Sequence, residues 1–193
     1  MSFILEYALK IFLWFAITFL LLYLIRRKRL RGKRELCGLF LIAWIVAVFS
    51  VTLFPEVNLE IDAFTYMPSL QIRFRDTELS MLNIVPFKSI LAAFTGGGQE
   101  VSARDQLLLA LINLAGNVFL FVPLGFLLPL TAQKRSRFGV TVGVSAVLSA
   151  GIETVQYFIG RSADIDDLLL NVFGAVVGFG LYAILRKWLQ RIE

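Results

Sequence analysis

The chain has 193 residues, of which 58% are hydrophobic and 17% are charged, and its mean hydropathy is +0.78. This composition is too apolar for a soluble domain and predicts an integral membrane protein, so the net charge of +5 does not indicate a nucleic-acid partner. The absence of histidine excludes Ser-His-Asp catalysis, Cys-His catalysis and histidine-ligated zinc, and the single cysteine, Cys37, excludes an internal disulfide.

Two apolar stretches predict a first pair of membrane helices within residues 1–54. They cover about residues 4–25 and 36–54, each close to the roughly 20 residues that cross a bilayer. A dense basic cluster at residues 26–34 separates them. Such a cluster can bind anionic lipid, but beside a membrane span it more often marks a cytoplasmic loop. We therefore interpret it as a topology signal.

The longest polar stretch, residues 55–105, predicts an extracytoplasmic segment. The sequence SLQIRFRD at residues 69–76 alternates between apolar and polar residues, which favours a short half-buried strand. The sequence LNIVPFKSILAAF at residues 82–94 then predicts an interfacial helix that is entered through Pro86. The segment is therefore expected to cover the outer ends of the spans.

Three more spans form a predicted core at residues 106–185. The third covers about residues 107–130 and carries Asn113 and Asn117 on one face, because the two are four residues apart. The fourth covers about residues 138–158. The fifth covers about residues 168–185 and contains Gly174 and Gly178 at the spacing that lets helices approach closely.

The sequence thus predicts an all-α polytopic membrane bundle of five transmembrane helices, forming a single domain over residues 1–193. Its orientation follows from the basic residues. The 26–35 loop, the 131–137 loop and the C-terminus together hold thirteen Lys or Arg and two acidic residues, whereas the other side holds six and twelve. The positive-inside rule therefore predicts an extracytoplasmic N-terminus and a cytoplasmic C-terminus.

Ionisable and amide side chains concentrate in a hairpin at residues 149–178, which joins the fourth and fifth spans. Placing such a group at membrane depth costs roughly 2.5–3.5 kcal/mol on insertion scales, so a functional site is expected there. Glu153 is about five residues from the outer end of its helix, which places it about 8 Å deep. A buried carboxylate must pair with a cation or hold a proton, and Arg161 is the nearest cation in sequence.

Structural roles remain open for several of these residues. Asp164 is well placed as the N-cap of the fifth helix, with Asp167 as a capping-box partner three residues later. Asn113 and Asn117 could equally be interhelical hydrogen-bonding residues, and Arg161 an interfacial anchor. Glu153 fits a purely structural role least well, because a buried carboxylate must pair with a cation or take a raised pKa.

Three blocks of the chain carry a family resemblance. They are NIVPF at residues 83–87, NLAGNVFLFVPLGFLLP at 113–129 and IETVQYFIGRSADIDDLLLNVFGAVVG at 152–178. On these blocks the chain resembles the VanZ-like family of bacterial membrane proteins, named for a component of glycopeptide (teicoplanin) resistance. The resemblance implies a bacterial plasma-membrane protein with a role at the cell envelope, limiting the action of lipoglycopeptides or acting on lipid head groups.

One hypothesis is an enzyme that acts on a membrane lipid or a polyprenyl-linked envelope precursor, through its phosphate or sugar head group. In it, Arg161 holds the phosphate, Glu153 is the general acid or base, and Asp167 takes part in catalysis. A divalent metal ion is a candidate cofactor, with Asp164 and Asp167 as its ligands. The residues expected to orient the head group are Asn83, Asn113, Asn117, Gln156 and Asn171.

The alternative is a non-catalytic binder that sequesters an envelope lipid or a lipoglycopeptide. It uses the same polar groups but transfers no proton, so isosteric amides at Glu153 and Asp167 would weaken binding only in part. Nothing in the sequence decides between the two functions.

Overall fold

The structure is a computed structural model that describes residues 2–28, 32–53, 56–61, 68–73, 82–95, 103–132, 138–159 and 161–191. The described residues form six helices: α1 (Ser2–Arg26), α2 (Lys33–Leu53), α3 (Lys88–Thr95), α4 (Ala103–Thr131), α5 (Phe138–Phe158) and α6 (Ile165–Arg191). All except α3 are long and apolar enough to cross a membrane. The fold is therefore an all-α bundle with five membrane spans, as the sequence predicts.

Two small pairs of strands connect the helices. The antiparallel pair joins β1 (Glu56–Ile61) to β2 (Pro68–Arg73), and β2 lies where the sequence predicts a strand. The parallel pair joins β3 (Leu82–Asn83), just before α3, to β4 (Ala163–Asp164), just before α6. The second pair therefore holds the start of α3 beside the start of α6. Residues 55, 62–67, 74–81 and 96–102 of the 55–105 segment lie outside the described residues.

The outward surface of the bundle is apolar, as expected of helices that contact lipid. Ile25 and Ile184 each expose 75% of their surface, and Val147 exposes 73%. In water such a surface would cost free energy in proportion to its area, whereas lipid acyl chains solvate it. The exposure pattern and the five spans together identify a multi-pass membrane protein.

Helix α1 is attached to α2 mainly by aromatic side chains. The rings of Phe19 and Phe40 lie 4.5 Å apart, and Phe15 contacts both Phe40 and Trp44. The indole N–H of Trp44 donates a 2.8 Å hydrogen bond to the main-chain oxygen of Leu120, which ties α2 to α4. The first helical pair is thus joined to the core through α2.

A buried apolar cluster lies between α2, α4, α5 and α6. Its members are Leu41, Val48, Phe121, Leu124, Ile152 and Ala175. Ile152 is next to Glu153 in sequence, and successive residues of a helix point about 100° apart. The apolar cluster therefore borders the polar residues of α5 and fixes how that helix is rotated.

Helices α4 and α6 pack with their backbones in direct contact. A Cβ atom built on Gly174 would lie 2.1 Å from the main-chain oxygen of Val118, and one on Gly178 would lie 2.1 Å from that of Val122. Both helices advance by four residues between these contacts, so they run parallel, with α5 as the antiparallel connection. The predicted close approach at these two glycines is confirmed.

Hydrogen bonds identify the two ends of the bundle. At one end, Arg34 Nε donates to the main-chain oxygen of Thr131 at 2.7 Å, which joins the start of α2 to the end of α4. We call this the basic end. At the other, which we call the polar end, the end of α2 at Thr52 meets the end of α5 at Gln156. The spans therefore alternate in direction as the sequence predicts.

The contact between α4 and α6 predicts that alanine substitutions at nearby glycines of α6 change the stability of the protein by different amounts. Gly174→Ala and Gly178→Ala must push the helices apart, and overpacking of this kind costs about 1–3 kcal/mol. Gly180→Ala, on the same helix with nothing within 4 Å of its built Cβ, serves as the control and should be neutral or stabilising. Thermal unfolding in detergent measures the difference. Equal midpoints for all three variants would contradict the direct backbone contact.

Candidate functional site

The polar end collects most of the residues that the sequence singles out. Three helices converge there, because α2 and α5 end and α6 begins at the same level, and α3 packs beside them. The hydrogen-bonded candidate residues at this end are Asn83, Asn117, Glu153, Gln156, Arg161, Asp164 and Asp167. Asn171 lies one turn deeper along α6.

Glu153 faces the interior of the bundle and exposes only 9% of its surface. Its Oε2 atom accepts a 2.9 Å hydrogen bond from the main-chain N–H of Asp164. The carboxylates of Asp164 and Asp167 and the guanidinium of Arg161 are its charged neighbours within electrostatic range. Glu153 thus links α5 to the first residues of α6 and retains free acceptor positions, because a carboxylate can accept about four hydrogen bonds.

Arg161 contacts the end of α2 rather than Glu153. Its guanidinium donates a hydrogen bond to the main-chain oxygen of Thr52, and the side-chain amide of Gln156 donates to the same oxygen at 3.2 Å. The last carbonyl groups of a helix lack partners within the helix and carry partial negative charge, which explains why both donors point there. Within the described residues Arg161 and Glu153 form no ion pair, so a direct pairing is not observed.

Asp164 is the N-cap of α6, as the sequence predicts. Its Oδ1 atom accepts the main-chain N–H of Asp166 at 2.9 Å, which satisfies one of the unpaired donors of the first helical turn. The same atom accepts from the side-chain amide of Asn83 at 3.0 Å, and Oδ2 accepts from the hydroxyl of Ser89. The predicted capping box is wrong, because the main-chain N–H of Asp164 bonds to Glu153 and not to Asp167.

Asp166 has a role that sequence reasoning missed. It exposes 1% of its surface and accepts three main-chain N–H groups, from Phe87 at 2.5 Å, Ser89 at 2.9 Å and Ile90 at 3.2 Å. A carboxylate from α6 therefore caps α3 in place of a side chain from α3 itself. Phe87 adopts a positive φ of 65°, which directs the first N–H groups of α3 toward this carboxylate.

Asp167 is connected to α4. Its Oδ1 atom accepts a 2.5 Å hydrogen bond from the side-chain amide of Asn117. The parallel packing of α4 and α6 brings these two residues to the same level. The Asn117 side chain therefore reaches the acidic hairpin, and Asp167, like Glu153, accepts only one hydrogen bond from the described residues.

Asn171 lies deeper and exposes 5% of its surface. Its Nδ2 atom donates a 2.9 Å hydrogen bond to the hydroxyl of Ser149 on α5. Ser149 was not among the predicted site residues, although its spacing of four residues from Glu153 places both on one face of α5.

Asn83 and Asn113 differ from the expected arrangement. Asn83 joins the cluster, but its amide bonds to Asp164 and Ser89 and its oxygen accepts the main-chain N–H of Val85, so it serves the local fold. Asn113 is exposed on α4, one turn before Asn117, and among the described residues it has no hydrogen bond to the cluster. Of the two asparagines on that face, the structure brings only Asn117 to the acidic residues.

The donor set does not fit a metal ion. The described residues hold no group of three or more His, Cys, Asp or Glu side chains arranged to bind one. Both oxygens of Asp164 already accept hydrogen bonds, from an N–H of Asp166, an amide and a hydroxyl, so most of its acceptor positions are used within the protein. The expected ligand pair, Asp164 and Asp167, therefore lacks support from the geometry.

Loss of the Asp166 carboxylate is expected to loosen α3. In Asp166→Ala, three main-chain N–H groups lose their acceptor, which costs about 1–3 kcal/mol. Hydrogen exchange of the amides of Phe87, Ser89 and Ile90 should then accelerate, as measured by mass spectrometry. Thr154→Ala is the control, because the Thr154 hydroxyl is exposed and bonds only within α5. Unchanged exchange at 87–90 would show that Asp166 does not cap α3.

The chain was compared with known proteins by family, by sequence and by structure. A family model described as VanZ/LLP1 matches residues 42–186, a range that includes every candidate residue of the polar end. No curated protein and no solved structure matches the chain. Because the family match covers most of the chain, the protein belongs to the VanZ/LLP1 family.

Proposed function

We propose that the protein binds a membrane lipid or polyprenyl-linked envelope precursor at the polar end and acts on its phosphate or sugar head group. The observation that carries the proposal is the small number of hydrogen bonds that Glu153 and Asp167 accept. Both are carboxylates inside the bundle, and each accepts a single hydrogen bond from the described residues. Glu153 is buried and Asp167 is half-buried, and their remaining acceptor positions are free to bind a polar ligand.

The polar end supplies the three kinds of group that such a head group needs. The guanidinium of Arg161 has five N–H donors, of which one bonds to Thr52, so others can bind a phosphate. Glu153 and Asp167 lie within electrostatic range of each other, and in the proposed reaction one of them carries a proton. That residue can then act as general acid and the other as general base. The amide of Gln156 extends the hydrogen-bonding surface.

The depth of these groups suits a lipid-linked substrate. Glu153 is five residues from the end of α5 and Asp167 two residues from the start of α6, so both lie within about 8 Å of the ends of their spans. A lipid whose tail lies in one leaflet holds its head group at this level.

We place the polar end on the outer side of the bacterial plasma membrane. The 26–35 loop, the 131–137 loop and the C-terminal residues at the basic end hold thirteen Lys or Arg against two acidic residues, which favours a cytoplasmic location. An outward-facing site would meet envelope precursors and, if the protein contributes to glycopeptide resistance, the lipoglycopeptides themselves.

The orientation predicts which engineered cysteines react from outside the cell. In a Cys37→Ser background, Val85→Cys near the polar end should react with a membrane-impermeant thiol reagent in intact cells, since Val85 is 55% exposed. Arg27→Cys at the basic end is the matched position and should react only after the membrane is permeabilised. The reverse pattern would place the site on the cytoplasmic side.

Replacement of the interior carboxyl group tests the catalytic proposal. Glu153→Gln keeps an oxygen that can accept the N–H of Asp164, so the fold is expected to persist while proton transfer is lost. Removing a general acid or base typically lowers the rate about 10²–10⁴-fold. Mass spectrometry of lipid extracts from cells with wild-type or Glu153→Gln protein should show the product only in the wild type, and teicoplanin susceptibility can be measured on the same cells.

The amount of protein in the membrane and its thermal unfolding midpoint control for loss of fold. An unchanged lipid profile in Glu153→Gln would remove the proton-transfer role. If wild-type cells contain no new product but the purified protein retains a lipid that Glu153→Gln also retains, the protein is a non-catalytic binder.

A further inference from the structure

The buried face of α5 carries polar side chains along most of its length. Thr141, Ser145, Ser149 and Glu153 follow each other at intervals of four residues, which places them on one face of the helix. They expose 2%, 0%, 0% and 9% of their surfaces, respectively. The row spans about 18 Å at 1.5 Å per residue and ends near the basic end, because Thr141 lies within the first turn of α5.

The hydroxyl of Ser145, the second residue of this row, differs from the other hydroxyls of the bundle in its hydrogen bonding. Hydroxyls in membrane helices usually donate to the main-chain oxygen four residues earlier, and those of Ser50, Thr52 and Thr154 do so here. The Ser145 hydroxyl is completely buried and forms no hydrogen bond with any described residue. Ser145 therefore does not follow the usual pattern for a packing serine.

Asn171 on α6, beside the row, carries a second buried polar atom that lacks a hydrogen-bond partner among the described residues. Its Nδ2 atom donates to Ser149, but its Oδ1 atom is buried without a hydrogen-bond partner among the described residues. Buried polar atoms are almost always paired with protein or with ordered water. The two helices pack against each other, so a small hydrogen-bonding ligand between α5 and α6 would give each atom a partner.

The spacing of the row fits water as that ligand. Cβ atoms four residues apart on a helix are separated by about 5–6 Å, and a hydroxyl–hydroxyl hydrogen bond is about 2.8 Å long. One bridging water with two hydrogen bonds covers that distance. Water also needs two to four polar partners, which Ser145, Ser149 and Asn171 supply together.

We propose that Thr141, Ser145, Ser149 and Asn171 line a water-filled proton path that connects the basic end of the bundle with Glu153. Each water or hydroxyl on the path accepts one proton and releases another, so no other bond forms or breaks and no electron is transferred. Arg161, Asp164 and Asp167 are the charged groups around Glu153 at the end of the path. The proposal rests on the proton-exchanging role proposed for Glu153.

Proton flux into liposomes tests this path without any knowledge of the substrate. Purified protein is reconstituted into liposomes that contain a pH-sensitive dye, and a potassium gradient with valinomycin drives protons inward. The wild type should acidify the lumen faster than protein-free liposomes. Ser145→Val should lower the rate to that of protein-free liposomes, because it removes the hydroxyl and fills the space around it.

Two further variants distinguish a loss of proton conduction from a disturbance of helix packing. Ser145→Ala keeps the helices able to pack and should also slow the flux, while Thr154→Val removes an exposed hydroxyl of the same helix and should leave the flux unchanged. A wild-type rate equal to that of protein-free liposomes, or an unchanged rate in both Ser145 variants, would overturn the path. Neither result would bear on the lipid product, which is measured separately in cell extracts.

Discussion

The acceptance of main-chain N–H groups by buried carboxylates is the interaction on which the polar end depends. Glu153 accepts the N–H of Asp164, Asp164 accepts that of Asp166, and Asp166 accepts three from the start of α3. This chain of contacts runs from α5 through α6 to α3. Charge-assisted hydrogen bonds are stronger than neutral ones, so a few acidic residues can hold three helices together where little apolar packing is available.

The backbone contact between α4 and α6 at two glycines is the second interaction that positions the residues of the polar end. Direct backbone packing at Gly174 and Gly178 holds the two helices parallel, and that alignment brings Asn117 to Asp167. A parallel pair joined by an antiparallel helix also places α5 against α6. The polar row of α5 therefore faces Asn171, and the site and the buried hydroxyls belong to one packing arrangement.

The sequence predicted the five spans, because long apolar runs between charged loops have few alternative structures. It also predicted the N-cap at Asp164 and the association of Asn117 with the hairpin, which depend on local spacing and topology. The capping of α3 by Asp166 and the bond from Arg161 to Thr52 were not predictable. Both join segments distant in sequence, and each uses main-chain atoms, which leave no signature in residue identity.

The acidic residues of the hairpin differ in how many hydrogen bonds each accepts from the protein. Asp164 and Asp166 each accept three donors from the protein, which leaves little capacity for a ligand. Glu153 and Asp167 each accept one, and Arg161 lies within electrostatic range of both. Glu153 and Asp167 therefore keep acceptor positions that Asp164 and Asp166 have already used, so a ligand that donates hydrogen bonds at the polar end would meet Glu153 and Asp167 first.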